Sequence, residues 1–189
     1  NKDLLIFKYA ENNSLQHIFD MREKENAPAW FNIGNQFKII YGIARTLQYL
    51  HKNNIIHGDL QASNVLLDEN NYPKITDFYM SKIYSKSQTK FVRKIKYFAP
   101  EILKKQQYNN KIDVYAFGIL MYEVLNSTKA YQTDIDKKLT ALALANKIKN
   151  GYRPTFTVNV NRALIDLVER CWSMNISKRP TFSIIFQRL

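Results

Sequence analysis

The stretch that decides the reading is His57-Gly58-Asp59-Leu60-Gln61-Ala62-Ser63-Asn64, followed by Val65-Leu66-Leu67, the polar turn Asp68-Glu69-Asn70-Asn71, then Lys74-Ile75-Thr76 and Asp77. Two short apolar runs around four turn-forming residues predict an antiparallel hairpin. In such a pair the residue just before the first strand and the residue just after the second lie at the same end. Those residues are Asn64 and Asp77. An amide oxygen beside a carboxylate is a hard-oxygen pair of the kind Mg²⁺ accepts, with waters and phosphate oxygens as further ligands. Asp59, five residues before Asn64 on the same loop, is a third oxygen-bearing side chain within reach of that volume. Taken singly, each has a plainer reading, because Asp and Asn are ordinary turn residues.

Composition narrows what such a site could belong to. The chain has 189 residues, 46% hydrophobic and 23% charged, which fits one globular domain or part of one and excludes a disordered chain. Its one cysteine, Cys171, excludes a disulfide scaffold and a cysteine-rich zinc module. A single thiol suits a reducing compartment, so a cytoplasmic, intracellular location is expected. The longest uncharged apolar stretch, Val114 to Tyr122, is about half of the roughly 18–20 residues that cross a bilayer, so no membrane span is expected. A start at Asn1 rather than Met suggests a piece of something longer. With 28 basic against 16 acidic residues, the net charge is +12, which favours anionic partners. Nine Lys or Arg residues and one acid, Glu101, lie between Lys82 and Lys111. Nucleic acid is not expected as a partner, because no stacking motif or recognition-helix pattern accompanies the charge.

Periodicity predicts a mainly helical chain. Leu4 to Tyr9 reads as a short strand ending at a Glu11-Asn12-Asn13-Ser14 turn. Residues Asn32 to Lys52 carry apolar side chains at three- and four-residue steps, from Phe37 through Leu50. Phe78 to Lys96 is polar and basic without a steady period and reads as a long loop. Further helices are predicted near Asp113–Leu125, Lys138–Lys149, Arg162–Cys171 and Thr181–Arg188.

The spacing of the opening stretch resembles the protein-kinase catalytic loop, His-Arg-Asp-Leu-x-x-x-Asn. Asp77-Phe78-Tyr79 resembles the metal-binding Asp-Phe-Gly, thirteen residues after Asn64, and Ala99-Pro100-Glu101 matches the close of the activation segment. Asp113-Val114-Tyr115-Ala116-Phe117-Gly118 is similar to the helix beneath the catalytic loop. Cys171-Trp172 and Arg179-Pro180-Thr181-Phe182 look like the last helices of the tyrosine kinase and tyrosine-kinase-like groups. These motifs stand in the family's order and cover nearly the whole chain.

The resemblance implies a mainly α fold: a kinase-like large lobe with a small β-hairpin carrying the catalytic loop, and a small lobe largely absent. Residues 1–14 would be the last small-lobe strand and the hinge, and 15–189 the large lobe of an incomplete kinase domain. ATP and Mg²⁺ would be the cofactors. Phe7 would back the nucleotide pocket, with the backbone around Lys8 and Ala10 facing adenine. Asp59 would take the hydroxyl proton of a protein substrate, and Asn64 and Asp77 would hold Mg²⁺ against the ATP phosphates. His57 and Phe78 would pack in the hydrophobic spine. Asp113 would accept backbone N–H groups of the catalytic loop, Glu101 and Arg179 would form a buried ion pair, and Cys171 would be a core residue.

Four departures stand against this pattern. No Gly-rich loop, strand lysine or partner glutamate is present; in the family these precede the first residue of this chain. Gly58 replaces the arginine beside the catalytic aspartate, which leaves Tyr84, Ser85, Ser87 and Thr89 without that phosphate partner. Tyr79 replaces the glycine of Asp-Phe-Gly. Gln61 stands where Ser/Thr kinases carry lysine and tyrosine kinases alanine or arginine; it can donate a hydrogen bond to phosphate but brings no charge. No threonine occupies the usual Ser/Thr-kinase position in Arg93-Lys94-Ile95-Lys96-Tyr97-Phe98. The expected function is transfer of the γ-phosphoryl of ATP to a protein hydroxyl, Ser/Thr in preference to Tyr, with acidic or pre-phosphorylated substrates favoured by the basic cluster. The alternative is a pseudokinase acting as a binding or scaffolding module.

Overall fold

The computed structural model describes residues 9–77, 94–136 and 138–189. The expectations for Leu4 to Lys8, for Phe78 and Tyr79, and for the acceptors Tyr84 to Thr89 lie outside these residues.

The described chain is mostly helical, with one two-stranded sheet. In order come α1 (Leu15–Glu23), α2 (Ile33–Lys52), a 3-10 turn at Ala62–Asn64, β1 (Val65–Leu67), β2 (Pro73–Ile75), α3 (Pro100–Leu103), α4 (Lys111–Asn126), α5 (Gln132–Asp136), α6 (Ala141–Lys149), α7 (Arg162–Cys171), a 3-10 turn at Ile176–Lys178, and α8 (Phe182–Arg188). No described helix is long and apolar enough to cross a membrane.

The hairpin forms as the sequence predicts, one residue out on its second strand: β2 is Pro73–Ile75 rather than Lys74–Thr76. Val65 faces Ile75 and Leu67 faces Pro73 across the ladder. Asp68 closes the turn, its Oδ1 accepting from the N–H groups of Asn70 and Tyr72 at 3.0 and 2.9 Å. Thr76 lies past the ladder, yet its N–H still donates to the Asn64 carbonyl at 2.9 Å.

Among the described elements, helices α1, α3 and α5 escape the sequence reading. Helix α1 begins at Ser14, whose side chain accepts from His17 N, and it buries Leu15, Ile18 and Phe19 at three- and four-residue steps. Its entry segment docks on the hairpin through Asn12 N to Leu67 O (3.1 Å) and Leu67 N to Asn13 O (2.8 Å). Buried Lys129 reaches Asp20 Oδ1 at 2.5 Å and Glu23 Oε2 at 2.6 Å, fastening α1 to the turn after α4. Two helix boundaries also move. Helix α6 starts at Ala141, because Thr140 caps it by accepting from Ala143 N. The expected loop from Phe78 to Lys96 ends sooner, since Lys94 and Ile95 are already helical.

Helix α4 is the axis of the molecule. All its residues from Ile112 to Asn126 are buried, so it is surrounded rather than one-faced. Helix α7 packs on one side of it and α2 on another, and α2 in turn packs on α8 and β2. The approach to α7 is close enough that a Cβ on Gly118 would lie 2.8 Å from Cys171 Cβ and 3.2 Å from Trp172 N. Buried Arg179 and Glu101 form the expected ion pair, with Nη1 to Oε1 at 2.6 Å and Nη2 to Oε2 at 2.9 Å. The spare donors of Arg179 are satisfied by the carbonyls of Ser173 and Lys111.

Two consequences are measurable. A Cβ added to Gly42 on α2 would meet Pro73 Cγ at 2.5 Å, whereas at Gly34 the nearest atom is 3.5 Å away. Gly42→Ala should therefore cost about 1–3 kcal/mol in urea denaturation while Gly34→Ala costs nothing. Burial pushes the Cys171 thiol from its ordinary 9.0 up to about 12. The folded state thus keeps a proton that the unfolded chain gives up. That stability is complete below pH 9.0 and is lost as pH rises toward about 12. The decline should approach roughly 1.4 kcal/mol per pH unit from this group. Cys171→Ala should flatten it in denaturation curves taken across that range.

Candidate active site

The loop from His57 to Asn64 is held from beneath by one carboxylate. Asp113, in the first turn of α4 and 1% exposed, accepts from His57 N through Oδ2 (2.9 Å) and from Gly58 N through Oδ1 (2.8 Å). His51 Nε2, from the last turn of α2, lies 2.9 Å from the same Oδ2. The loop must bend sharply to offer two successive N–H groups to one acceptor, and Gly58 does so at φ 75°. Glycine enters that left-handed region without steric cost, so the replacement of arginine suits the backbone here.

His57 is wholly buried and performs a bridging task. Its Nδ1 accepts from Asp59 N at 3.2 Å, so Nε2 carries the proton and donates to the Thr76 carbonyl at 2.9 Å. One imidazole thereby ties the backbone N–H of Asp59 to Thr76, the residue between β2 and Asp77.

Asp59 and Asn64 come together. Asn64, 5% exposed, donates through Nδ2 to the Asp59 carbonyl at 2.8 Å and lies 3.4 Å from Asp59 Oδ2. Those bonds fix which end of the amide is oxygen, and Oδ1 accepts from Ser63 Oγ at 3.1 Å. Asp77 follows Thr76, whose N–H is bonded to the Asn64 carbonyl, and it is exposed, at φ 60°. A non-glycine residue in that region carries strain of about 1–2 kcal/mol, which aspartate tolerates better than most. Gln61 Nε2 donates to Asp59 Oδ1 at 3.1 Å. Ala10 is half-buried, its carbonyl in a weak turn bond from Asn13 N at 3.4 Å; Lys8 lies outside the described residues.

The donor set suits a hard divalent cation: one amide oxygen and one carboxylate at one end of a ribbon, beside a second carboxylate. Among the described residues there is no cluster of three His, Cys, Asp or Glu side chains able to hold a metal, so phosphate oxygens and water would have to complete the shell.

Two parts of the site were not anticipated. Lys94 Nζ lies 2.8 Å from both carboxylate oxygens of Asp59. Nothing in the sequence marked Lys94 for this carboxylate, 35 residues away along the chain. The second is a buried clamp on Glu123 of α4. Its carboxylate accepts from Lys96 Nζ, from Tyr97 OH at 2.5 Å and from Ala130 N at 2.9 Å. Tyr97 OH also accepts from Ala62 N at 3.2 Å, so the clamp reaches the catalytic loop. Burial, followed by the Glu123 charge, holds the Tyr97 phenol well above its usual range.

The family model for protein tyrosine and serine/threonine kinases matches residues 1–189. The chain belongs to that family. Among its relatives, Serine/threonine-protein kinase STY46 of Arabidopsis thaliana is 33% identical over 91% of this chain and 29% of its own length. Serine/threonine/tyrosine-protein kinase HT1 of the same plant is 31% identical over 96% of this chain and 45% of its own. RGS domain-containing serine/threonine-protein kinase A of Dictyostelium discoideum is 30% identical over 94% of this chain. The kinase chain spans less than half the length of these relatives, 15% of the last.

If Asp113 sets the loop, Asp113→Ala should cost about 2–4 kcal/mol, since it strands the buried His57 N–H and the part-buried Gly58 N–H. Asp113→Asn keeps one acceptor and should cost about half as much. Thermal unfolding of the three proteins, read beside amide exchange at His57 and Gly58, checks both.

Proposed function

We propose that this kinase domain transfers the γ-phosphoryl of ATP to a serine or threonine hydroxyl of a protein, with Asp59 as the proton acceptor. The substrate oxygen forms a bond to the γ-phosphorus. The bond from that phosphorus to the β,γ-bridging oxygen breaks, its electron pair leaving with ADP, and the hydroxyl proton passes to Asp59. Asn64 and Asp77 would hold Mg²⁺, which supplies charge neutralisation at the phosphates when bound. Gln61 and Asn64 Nδ2 orient the Asp59 carboxylate, while Asp113 and His57 fix its backbone. Most of the rate advantage in this chemistry comes from such positioning. Residues 1–14 would act as the last small-lobe strand and the hinge, with Lys8 and Ala10 presenting backbone to adenine, and 15–189 as large lobe.

The observation that supports this most is the Asp59–Asn64 contact, with the N–H of Thr76, the residue before Asp77, bonded to the Asn64 carbonyl. A small cleft beside Asp59 is lined by Gly58, Tyr97, Phe98 and Ile102. Exposed Lys104 and Lys105 of the basic cluster lie just past α3, which favours acidic or pre-phosphorylated substrates. The names of the relatives favour Ser/Thr as acceptor. A cytoplasmic, intracellular location is the reading that the single thiol favours. The pseudokinase reading draws on Gly58, Gln61 and Tyr79, which all depart from the catalytic pattern.

The test is the full-length natural protein that carries this chain, incubated with Mg·ATP and acidic or basic Ser-, Thr- and Tyr-peptide arrays. Phosphate on Ser or Thr within acidic flanks is expected. Asp59→Asn should lower kcat by about 10²–10⁴-fold without moving the thermal midpoint. Tight Mg·ATP binding with no transfer to any peptide would select the pseudokinase. An unchanged rate in Asp59→Asn would remove Asp59 from the chemistry.

A further inference from the structure

We infer that Lys94 is the cation that steers the transferring phosphoryl group, a charge supplied from outside the catalytic loop; this rests on the reading of Asp59 as proton acceptor. The segment from His57 to Asn64 holds one charged side chain, Asp59, and no lysine or arginine. Transfer of a multiply charged phosphoryl group beside a carboxylate needs compensating positive charge at that point. Gln61 contributes a neutral donor at 3.1 Å from Asp59 Oδ1. Lys94 brings an ammonium to 2.8 Å from both oxygens of that carboxylate.

A plain structural role for the pair is the competing reading: an ion pair that joins the two segments. The Glu123 clamp already makes that junction. Ile95, Lys96 and Tyr97, the three residues after Lys94, are all buried, and Tyr97 OH links Glu123 to Ala62 N in the catalytic loop. Against that buried union, the Lys94–Asp59 pair is the solvent-facing end, with side chains 24% and 13% exposed. Partly exposed ion pairs add little to stability. The clamp instead aims Lys94: with the next three residues fixed in the core, the stem of Lys94 starts from a rigid base beside the reacting centre, as preorganised electrostatics requires.

An ammonium has three N–H donors. One can stay on Asp59 while another turns to a non-bridging oxygen of the γ-phosphoryl. The attraction to Asp59 weakens as that carboxylate takes the hydroxyl proton, which frees Lys94 for the phosphoryl group as the transfer proceeds. Lys94 forms no covalent bond and neither gains nor loses a proton overall.

The test compares Lys94→Met, Lys94→Arg, Asp59→Asn and the double variant Lys94→Met/Gln61→Lys in the full-length natural protein. Lys94→Met should lower kcat by about 10²-fold with little change in KM for ATP. Lys94→Arg should retain most of the rate, and moving the charge to position 61 should restore part of it. Independently of turnover, calorimetry should show Lys94→Met losing about 10-fold in affinity for an imido-bridged ATP analogue while affinity for ADP holds. Three results would overturn the inference. A rate and an analogue-to-ADP selectivity both unchanged in Lys94→Met, with Asp59→Asn still inactive, would make Lys94 incidental and leave the base assignment standing. A higher rate in Lys94→Met would make the pair an inhibitory lock. An Asp59→Asn protein with normal turnover would remove the base assignment, and this inference with it. Should the parent protein show no turnover, unchanged selectivity in the binding comparison overturns the inference by itself.

Discussion

A single buried carboxylate governs the placement of the catalytic loop. Asp113 is desolvated almost completely, and its burial is offset by donors from three residues, His51, Gly58 and His57. The loop cannot leave without stranding a charge in the core, which costs far more than any one contact made above it. Because Asp113 belongs to a helix buried on every side, the loop inherits the rigidity of the molecular axis. His57 carries that rigidity onward to Thr76, just past β2, and Glu123, three turns along α4, does the same for Lys96 and Tyr97. One helix thus sets three strips of chain that are remote in sequence and must meet in space.

This arrangement explains which departures from the kinase pattern the fold absorbs. Gly58 sits where the backbone turns through a left-handed conformation, so losing the arginine side chain imposes no backbone penalty. The loss of charge at Gln61 is met by a different strip of chain, held by its own buried clamp. Asp77 accepts a strained backbone at the end of the hairpin, at the position where the proposed metal ligand must be exposed rather than packed.

Much of this was legible in the sequence where the signal was local or carried by a motif. The hairpin followed from two apolar runs around a turn, and it brought Asn64 and the neighbour of Asp77 to one end. Helix α2 followed from its period, and the Asp113 and Glu101–Arg179 contacts from the resemblance. Helix α1 was hidden because Ser14 reads equally as turn residue and helix cap; the deciding fact, burial of Leu15, Ile18 and Phe19, is tertiary. The start of β2 slipped because proline argues against a strand, whereas Pro73 sits at the end of the ladder and packs on Gly42. Lys94 and Glu123 were out of reach for a plainer reason. A lone lysine in a lysine-rich chain carries no mark of the one carboxylate it will meet.

The close seam between α4 and α7 gives the protein an internal gauge. Its sole thiol lies against the backbone face of Gly118, fully enclosed and held protonated far past neutrality. An alkylating reagent has no reactive sulfur to find until those two helices part, and when they part the core is open. The rate at which Cys171 is labelled therefore counts excursions of the whole molecule out of its native state, with no dye, tag or added chromophore.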